Sequence, residues 1–325
     1  MDISLACRPP HVADDPPSAL CDAAVVAALA ARLGPSVARA RIHEELGIEA
    51  RAVVRTDVWR GRAIRAVLAG TGMLGRAGRN AVSIRVLHNS LRVPNLPASF
   101  RGFALLQVSD LHADSSPRAM AALRGLLPSV GCDACVFTGD FRGLAHGPCE
   151  PSLNIVAGIA GAVRAPMYGV LGNHDSALMV APLEDMSIRL LMNESVALHR
   201  DGATLWLAGV DDHHHYAADR IGEAMRDVPA GGACILLSHT PENFREAALA
   251  GAGAMLSGHT HGGQICLPGG IHLATSSRRD LPRQMVSGAW SHAGMQGYTS
   301  TGAGTSLLEA RFNCPPSVTL HVLSS

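Results

Sequence analysis

Ser257 to Gln264 reads Ser-Gly-His-Thr-His-Gly-Gly-Gln and places two imidazoles in a glycine-rich loop at the end of a short apolar run, Met255-Leu256. His259 and His261 are two positions apart, so in an extended segment both side chains project to one side. They can address one metal ion or two adjacent ones. Gly258, Gly262 and Gly263 let the backbone approach a ligand closely. Alone, such a loop serves equally well as a solvated turn, and the other apolar runs decide between the two.

Each of those runs ends in side chains of the same kind. Phe103 to Val108 ends in Ser109-Asp110-Leu111-His112, and Cys135 to Thr138 ends in Gly139-Asp140. Met167 to Leu171 ends in Gly172-Asn173-His174-Asp175, and Leu205 to Val210 ends in Asp211-Asp212-His213-His214-His215. Cys234 to Ser238 ends in His239-Thr240-Pro241. In open sheets flanked by helices, ligands bind beyond the carboxyl ends of the strands, where loops converge. Asp, Asn and imidazole without thiolate suit manganese, iron or zinc in a site that keeps coordination positions open.

The elements that must hold these side chains are short. From Phe103 onward, apolar runs alternate with helical intervals, the pattern of an α/β or mixed-sheet domain. Ahead of it, Ser83 to Val93 alternates like a strand, and Pro94 to Pro97 turns into the main domain. Asp22 caps a helix over Ala23 to Leu33, with Gly34 at its end and Pro35 enforcing the stop. A second helix is read over Val37 to Leu46, ending at Gly47. Trp59 to Leu74 is helical in pattern: Trp59, Ala63, Val67, Gly70 and Leu74 share one face, with Arg60, Arg62 and Arg65 off it. That face either packs on the main domain or lies along a membrane surface. Residues 1 to about 20 are rich in Pro and Asp and read as a tail. The division expected is an N-terminal tail and helical region over 1–82 and a main domain over 83–325.

Composition narrows the class. The 325 residues carry a formal net charge of +0 with a pI near 7.3, so no basic field points to nucleic acid. All 27 basic residues are Arg, in a chain also rich in Ala and Gly, as codon bias in a GC-rich genome produces. The 8 Cys are scattered, which favours a reducing compartment. No signal peptide and no apolar run of membrane-spanning length is read. A cytoplasmic protein, with peripheral contact to the inner membrane through the Trp59 helix, is the expectation.

The ordered set Asp-x-His, Gly-Asp, Gly-Asn-His-Asp, His, Gly-His-x-His resembles the calcineurin-like metallophosphoesterases over roughly residues 84 to 325. Ser257 to Gln264, with Pro268 and Arg311-Phe312-Asn313, looks like the bacterial branch that carries Gly-His-Thr-His-Gly-Gly-Gln. The resemblance implies a four-layer αββα sandwich of two mixed sheets, an α/β (α+β) fold. It implies two divalent cations, manganese, iron or zinc: Asp110, His112 and His261 on one, Asn173, His239 and His259 on the other, and Asp140 bridging. His174 is then the general acid that protonates the leaving oxygen while a metal-bridging hydroxide attacks phosphorus in line. The activity implied is hydrolysis of phosphate esters, as a phosphodiesterase or pyrophosphatase. A pyrophosphatase for a nucleotide-linked lipid of the UDP-diacylglucosamine type, from lipid A synthesis, is the first alternative. Phosphomonoesterases and protein phosphatases rank below it, and a metal-binding scaffold with a vestigial site is the non-enzyme alternative.

Many relatives carry an Asp three residues after the bridging Asp to orient the catalytic His; here Gly143 stands there, leaving Asp175 or a backbone carbonyl for that task. Arg142, Asp212 and His213 are candidate substrate contacts, the last two in a loop at the rim of the cleft. Cys132 and Cys135 have redox spacing, yet Cys135 opens the run to Asp140 and reads as a small buried hydrophobe. Gly288 to Gly304 reads as a mobile loop near the site.

Overall fold

The computed structural model describes residues 19–51, 56–272 and 281–325, with side chains described except at 49–51 and 56–60. The expected tail over residues 1 to 18 and the side chain of Trp59 lie outside the described residues.

Two six-stranded sheets form the centre of the molecule. In the first, β1 (Arg85–Arg92), β14 (Ser317–Ser324), β2 (Ala104–Val108), β3 (Ala134–Thr138), β4 (Met167–Val170) and β5 (Ile188–Leu190) lie side by side in that order. β14 runs parallel to β1 and antiparallel to β2, and β2 through β5 are parallel. In the second, the order is β12 (Gly288–His292), β13 (Met295–Thr299), β9 (Ala254–Ser257), β8 (Cys234–Leu237), β7 (Ala203–Gly209) and β6 (Glu194–Arg200). Its centre, from β13 through β7, is parallel and both edges are antiparallel, so both sheets are mixed. A small antiparallel pair, β10 (Cys266–Leu267) and β11 (Ile271–His272), stands apart.

Alternation along the strands sorts the core into layers. Leu105, Val136 and Val170 of the first sheet meet Leu207, Ile235, Leu237 and Leu256 of the second in one apolar cluster between the sheets. The opposite-facing residues Leu106, Val108, Cys135 and Phe137 pack under helices α5 (Pro117–Leu126), α6 (Glu150–Ala160) and α7 (Val180–Asp185). On the far side Ala208, Leu236 and Met255 are covered by α8 (Ile221–Ala224) and α9 (Phe244–Leu249). The result is helix, sheet, sheet, helix, the αββα sandwich. Strands buried on both faces explain why their sequences are unbroken apolar runs. Each fully buried Leu or Val in them contributes about 1.5–3 kcal/mol.

Two helices ahead of the first strand join the same core. Asp22 accepts a hydrogen bond from the Ala24 N–H at 2.8 Å and caps α1 (Ala23–Leu33), which ends at Gly34 in a positive-φ conformation. Pro35 does not simply stop that helix; it opens α2 (Pro35–Arg51), where its missing N–H is no loss, and Gly47 lies within α2 instead of ending it. Leu20, Val26, Leu29, Leu33, Ala38, Ile42 and Leu46 belong to the cluster that holds Leu106 and Phe137, so the packing does not separate these helices from the sheet.

α3 (Thr56–Gly70) and α4 (Leu74–Ala81) follow, separated at Thr71-Gly72-Met73. Among the described side chains of α3, Ile64 and Leu68 pack, against Ala77, Ala310 and Phe312. Ala63, Val67 and Gly70, on the face read as apolar from sequence, are exposed, Val67 to 64%. Gly288 to Gly304 is likewise not an irregular loop. It is the β12–β13 hairpin, with the Trp290 indole N–H donating to Thr299 Oγ1 at 2.9 Å, followed by Ser300 to Gly304 packed against the site. Gly297 opposite Trp290 leaves the space its ring fills.

Candidate metal centre

β2, β3, β4, β7, β8 and β9 all deliver their carboxyl ends to the same edge of the sandwich, and the loops there bring the seven expected ligands into two touching groups. His112 Nε2 and His261 Nε2 face each other at 3.0 Å, and Asp110 Oδ1 lies 3.6 Å from His261 Nε2. In the second group Asn173 Oδ1 stands 2.9 Å from His239 Nε2 and 2.8 Å from His259 Nδ1. A single oxygen, Asp140 Oδ2, joins them, 3.4 Å from His112 Nε2 and 3.3 Å from His239 Nε2. All seven residues are buried.

The backbone is bent to achieve this. Asp110, His112, Asp140, His259 and His261 have φ of 51°, 41°, 55°, 69° and 50°, in the left-handed region that non-glycine residues rarely adopt. Such conformations persist where surrounding structure over-determines them, and they gather at ligand sites. The loops interlock closely: a Cβ at Gly172 would lie 2.3 Å from Asp140 Oδ1, and one at Gly258 2.0 Å from Ser109 Oγ. Ser109 in turn donates to Asp110 Oδ2 at 2.6 Å.

Other hydrogen bonds set ring orientation. His239 Nδ1–H donates to Thr138 O at 2.8 Å, which turns Nε2 toward Asn173 and Asp140. The His259 N–H donates to Asp110 Oδ1 at 2.9 Å. Arg311, buried, donates to the carbonyls of His261, Thr301 and Gly304 at 2.9, 2.7 and 2.7 Å and holds the His261 turn.

The electrostatics fit a cation. Burial drives the imidazoles of His112, His259 and His261 below their usual range, His112 to about 4, so they stand neutral with lone pairs available. Burial opposes ionisation of Asp140, but the His239, His174 and His112 rings around it hold the carboxyl well below the usual carboxylate range. Burial opposes charge on His239 as well, yet the same carboxylate lifts that ring to about 10, a measure of how strongly this point attracts positive charge. Ring nitrogens and carboxylate oxygens converge within 4.8 Å in the triads Asp110–His112–His261 and Asp140–His239–His259. With the Asn173 amide oxygen beside the second, and with His239 giving up to a cation the proton that Asp140 holds on it, they are a donor set suited to divalent metal.

His174 sits at the mouth, partly exposed, its ring edge-on to His112 at 4.9 Å. Its N–H donates to Asp140 Oδ1 at 2.9 Å, and its Nδ1–H donates to the carbonyl oxygen of Gly143 at 2.7 Å. The position where an Asp is missing therefore supplies a backbone acceptor in its place. Asp175 is used otherwise: its carboxylate accepts from the N–H groups of Phe141, Arg142 and Gly172 at 2.8, 3.2 and 2.8 Å.

The three expected substrate contacts are engaged elsewhere. Arg142 is buried, and its guanidinium donates to the carbonyls of His174 and Gly147, bracing the loop from behind. Asp212 accepts from the His215 and Tyr216 N–H groups at 2.6 and 2.9 Å and shapes its own turn. His213 pairs with Asp219 at 3.0 Å. The rim imidazoles nearest the site are instead His215, whose Nδ1 lies 3.0 Å from Asn173 O and whose ring stacks 6.4 Å from that of His174, and His214. His214 lies 4.3 Å from the His259 ring and pairs with Glu242 at 3.1 Å. The run Asp211 to His215 signalled this rim, but which of its rings turns inward depends on the turn that Asp212 makes. Cys135 is buried beneath helices, and burial pushes its thiol well above the ordinary value, as suits a core side chain.

Residues 103–263 match the family model described as calcineurin-like phosphoesterase. The uncharacterized metallophosphoesterase YkoQ of Bacillus subtilis (strain 168) is 27% identical over 271 residues, 79% of this chain and 96% of that protein. The uncharacterized metallophosphoesterase YkuE of the same organism is 26% identical over 254 residues, 74% of this chain and 86% of that protein. A crystal structure of a protein of Thermus thermophilus superposes with a TM-score of 0.43 at 14% identity, over 62% of this chain and 90% of that one. The chain belongs to the calcineurin-like metallophosphoesterase superfamily and is a phosphoric ester hydrolase of a class that uses divalent metal ions.

Proposed function

We propose that the chain hydrolyses phosphodiester or pyrophosphate bonds, with Asp110, His112 and His261 holding one divalent cation, Asn173, His239 and His259 a second, and Asp140 shared between them. The observation that carries this reading is the single Asp140 oxygen facing both imidazole groups at 3.4 and 3.3 Å. When bound, two such cations lower the pKa of water and neutralise phosphoryl oxygens. The chain's own residues do the rest. The two groups orient the phosphate; Asn173, being neutral, limits the negative charge that would repel it. His174, fixed through Nδ1–H on Gly143 O, keeps Nε2 for the leaving oxygen and gives it a proton.

Within this class, the exposed Ala63, Ala66 and Val67 of α3, next to the exposed Arg65, favour a substrate at a membrane surface, such as a nucleotide-linked lipid of the UDP-diacylglucosamine type. No helix among the described residues is long and apolar enough to cross a membrane, so such contact would be peripheral. The Gly-His-Thr-His-Gly-Gly-Gln loop is consistent with the bacterial branch named above.

The test is elemental analysis of protein purified without added metal, coupled to hydrolysis of an aryl phosphodiester, an aryl phosphomonoester and a UDP-linked lipid. Close to two metals per chain, loss of activity on chelation and recovery with manganese are expected, with diester or pyrophosphate turnover ahead of monoester. Activity that survives exhaustive chelation would contradict the reading. Absence of both metal and turnover after adding manganese would make the ligand set vestigial.

A further inference from the structure

The inner face of α2 carries two charges among apolar residues. Ala38, Arg41, Ile42, Glu45 and Leu46 are all buried, and Arg41 and Glu45 are among the most deeply enclosed ionisable groups in the molecule. A buried ion pair is weak evidence for stability, because apolar side chains of the same volume serve a core as well or better. What these two groups touch gives them another purpose. Arg41 Nη2 donates to Asp175 O at 3.2 Å, immediately after His174, and Glu45 Oε2 accepts from the Ala177 N–H at 3.1 Å. Arg41 Nε lies 3.2 Å from Asp211 Oδ2, and the guanidinium stacks over the Tyr216 ring at 4.1 Å.

Those contacts end on the two loops that frame the mouth of the site. One, Gly172 to Ala177, carries Asn173 and His174, and its Asp175 carboxylate ties it to the loop after Asp140. The other, Asp211 to Tyr216, carries His214 and His215, and His215 Nδ1 reaches back to Asn173 O at 3.0 Å. Asp211 also accepts from the Asp212 N–H at 2.9 Å, at the start of the turn that presents these rings. Arg41 thus meets both loops from behind, one through a hydrogen bond to Asp175 O and the other through its ion pair with Asp211.

We infer that Arg41, with Glu45, is a positioning residue: α2 reaches through the core to fix His174 against the reacting phosphate ester. This rests on the phosphoesterase reading with His174 as the proton donor. Arg41→Lys keeps the charge opposite Asp211 but replaces the planar guanidinium, whose Nε and Nη2 face Asp211 and Asp175 O from separate atoms, with a single ammonium. Arg41→Met keeps the volume and drops the charge. Each is compared with the wild-type full chain for manganese content, melting temperature and steady-state hydrolysis of two phosphodiesters, one with a nitrophenoxide and one with a phenoxide leaving group. In Arg41→Lys we expect manganese content unchanged, KM within about twofold and kcat lower by about tenfold or more. The loss should be larger for phenoxide, which depends more on the proton from His174. Equal loss on both substrates, or a lower melting temperature with unchanged kcat, would make Arg41 a core residue only and overturn the inference. Failure of both variants to fold would overturn it in the same way. Absence of turnover in the wild type would instead sink the functional reading beneath it.

Discussion

His174 differs from the seven buried residues around it in being partly exposed and in committing one ring nitrogen to a carbonyl, Gly143 O at 2.7 Å. On the proposed reading it donates a proton without holding metal, so it can be removed without emptying the site. His174→Ala is expected to keep the wild-type metal content and lose about 10²–10⁴-fold in kcat, the usual range for general acid catalysis. The loss should be most severe for poor leaving groups; metal content measured by elemental analysis decides it, and a variant that purifies empty would make His174 a ligand. At this scale the sequence was unusually legible. Asp110, His112, Asp140, Asn173, His239, His259 and His261 end strands, and strand ends must meet at one edge. Arg142 and Asp212 were misread because a charged side chain beside a site faces either way, and backbone carbonyls such as those of His174 and Gly147 leave no mark in a residue pattern. Arg41 and Glu45 did leave one: charges at positions 41 and 45 of a helix whose apolar stripe runs through 38, 42 and 46.

Among the elements, the parallel strands were readable as apolar runs, and the capped helix α1 as Asp22 to Gly34. The hairpin over Gly288 to Thr299 was not, because Gly, Ser and His at its positions have low strand propensity, and Trp290 packing over Gly297 overrides it. α3 shows a second kind of miss. Its period was right, but Ile64 and Leu68 face inward while Ala63, Val67 and Gly70 face out. A weakly amphipathic helix chooses its buried side by its neighbours, here Ala77 and Ala310. An outward Val67 that contributes little to the core can be changed without harm to the fold. Val67→Asp is expected to weaken binding to anionic liposomes severalfold in co-sedimentation while leaving hydrolysis of a soluble aryl ester unchanged. Equal sedimentation of variant and wild type would retire α3 as a membrane contact.

For the molecule as a whole, the two sheets are joined by apolar packing and also by a polar ladder. Gln107 Nε2 donates to Ser257 O at 2.9 Å across the sandwich, and its Oε1 accepts from His321 Nε2–H at 3.0 Å; Asn89 donates to the other ring nitrogen at 3.0 Å. Burial lowers the His321 imidazole to about 3. Between its unfolded value near 6.5 and that folded value, the unfolded chain holds a proton that the folded one lacks. Stability is therefore full above 6.5 and falls as pH drops through the window, by up to about 1.4 kcal/mol per pH unit from this group. His321→Gln removes the titration, so the difference in urea unfolding free energy between pH 7 and pH 5 should be smaller in the variant. An unchanged difference would mean that His321 is protonated in the fold.

β14 sits between β1 and β2, yet it is the last of the sheet's strands to be synthesised. Until residues 317–324 are in place, β1 and β2 each lack the neighbour that joins them, and the first sheet is incomplete. Exposed edges of this kind invite pairing with other chains. A chain in which β14 has not yet paired therefore carries two open strand edges, and the hazard ends only when that strand docks between them.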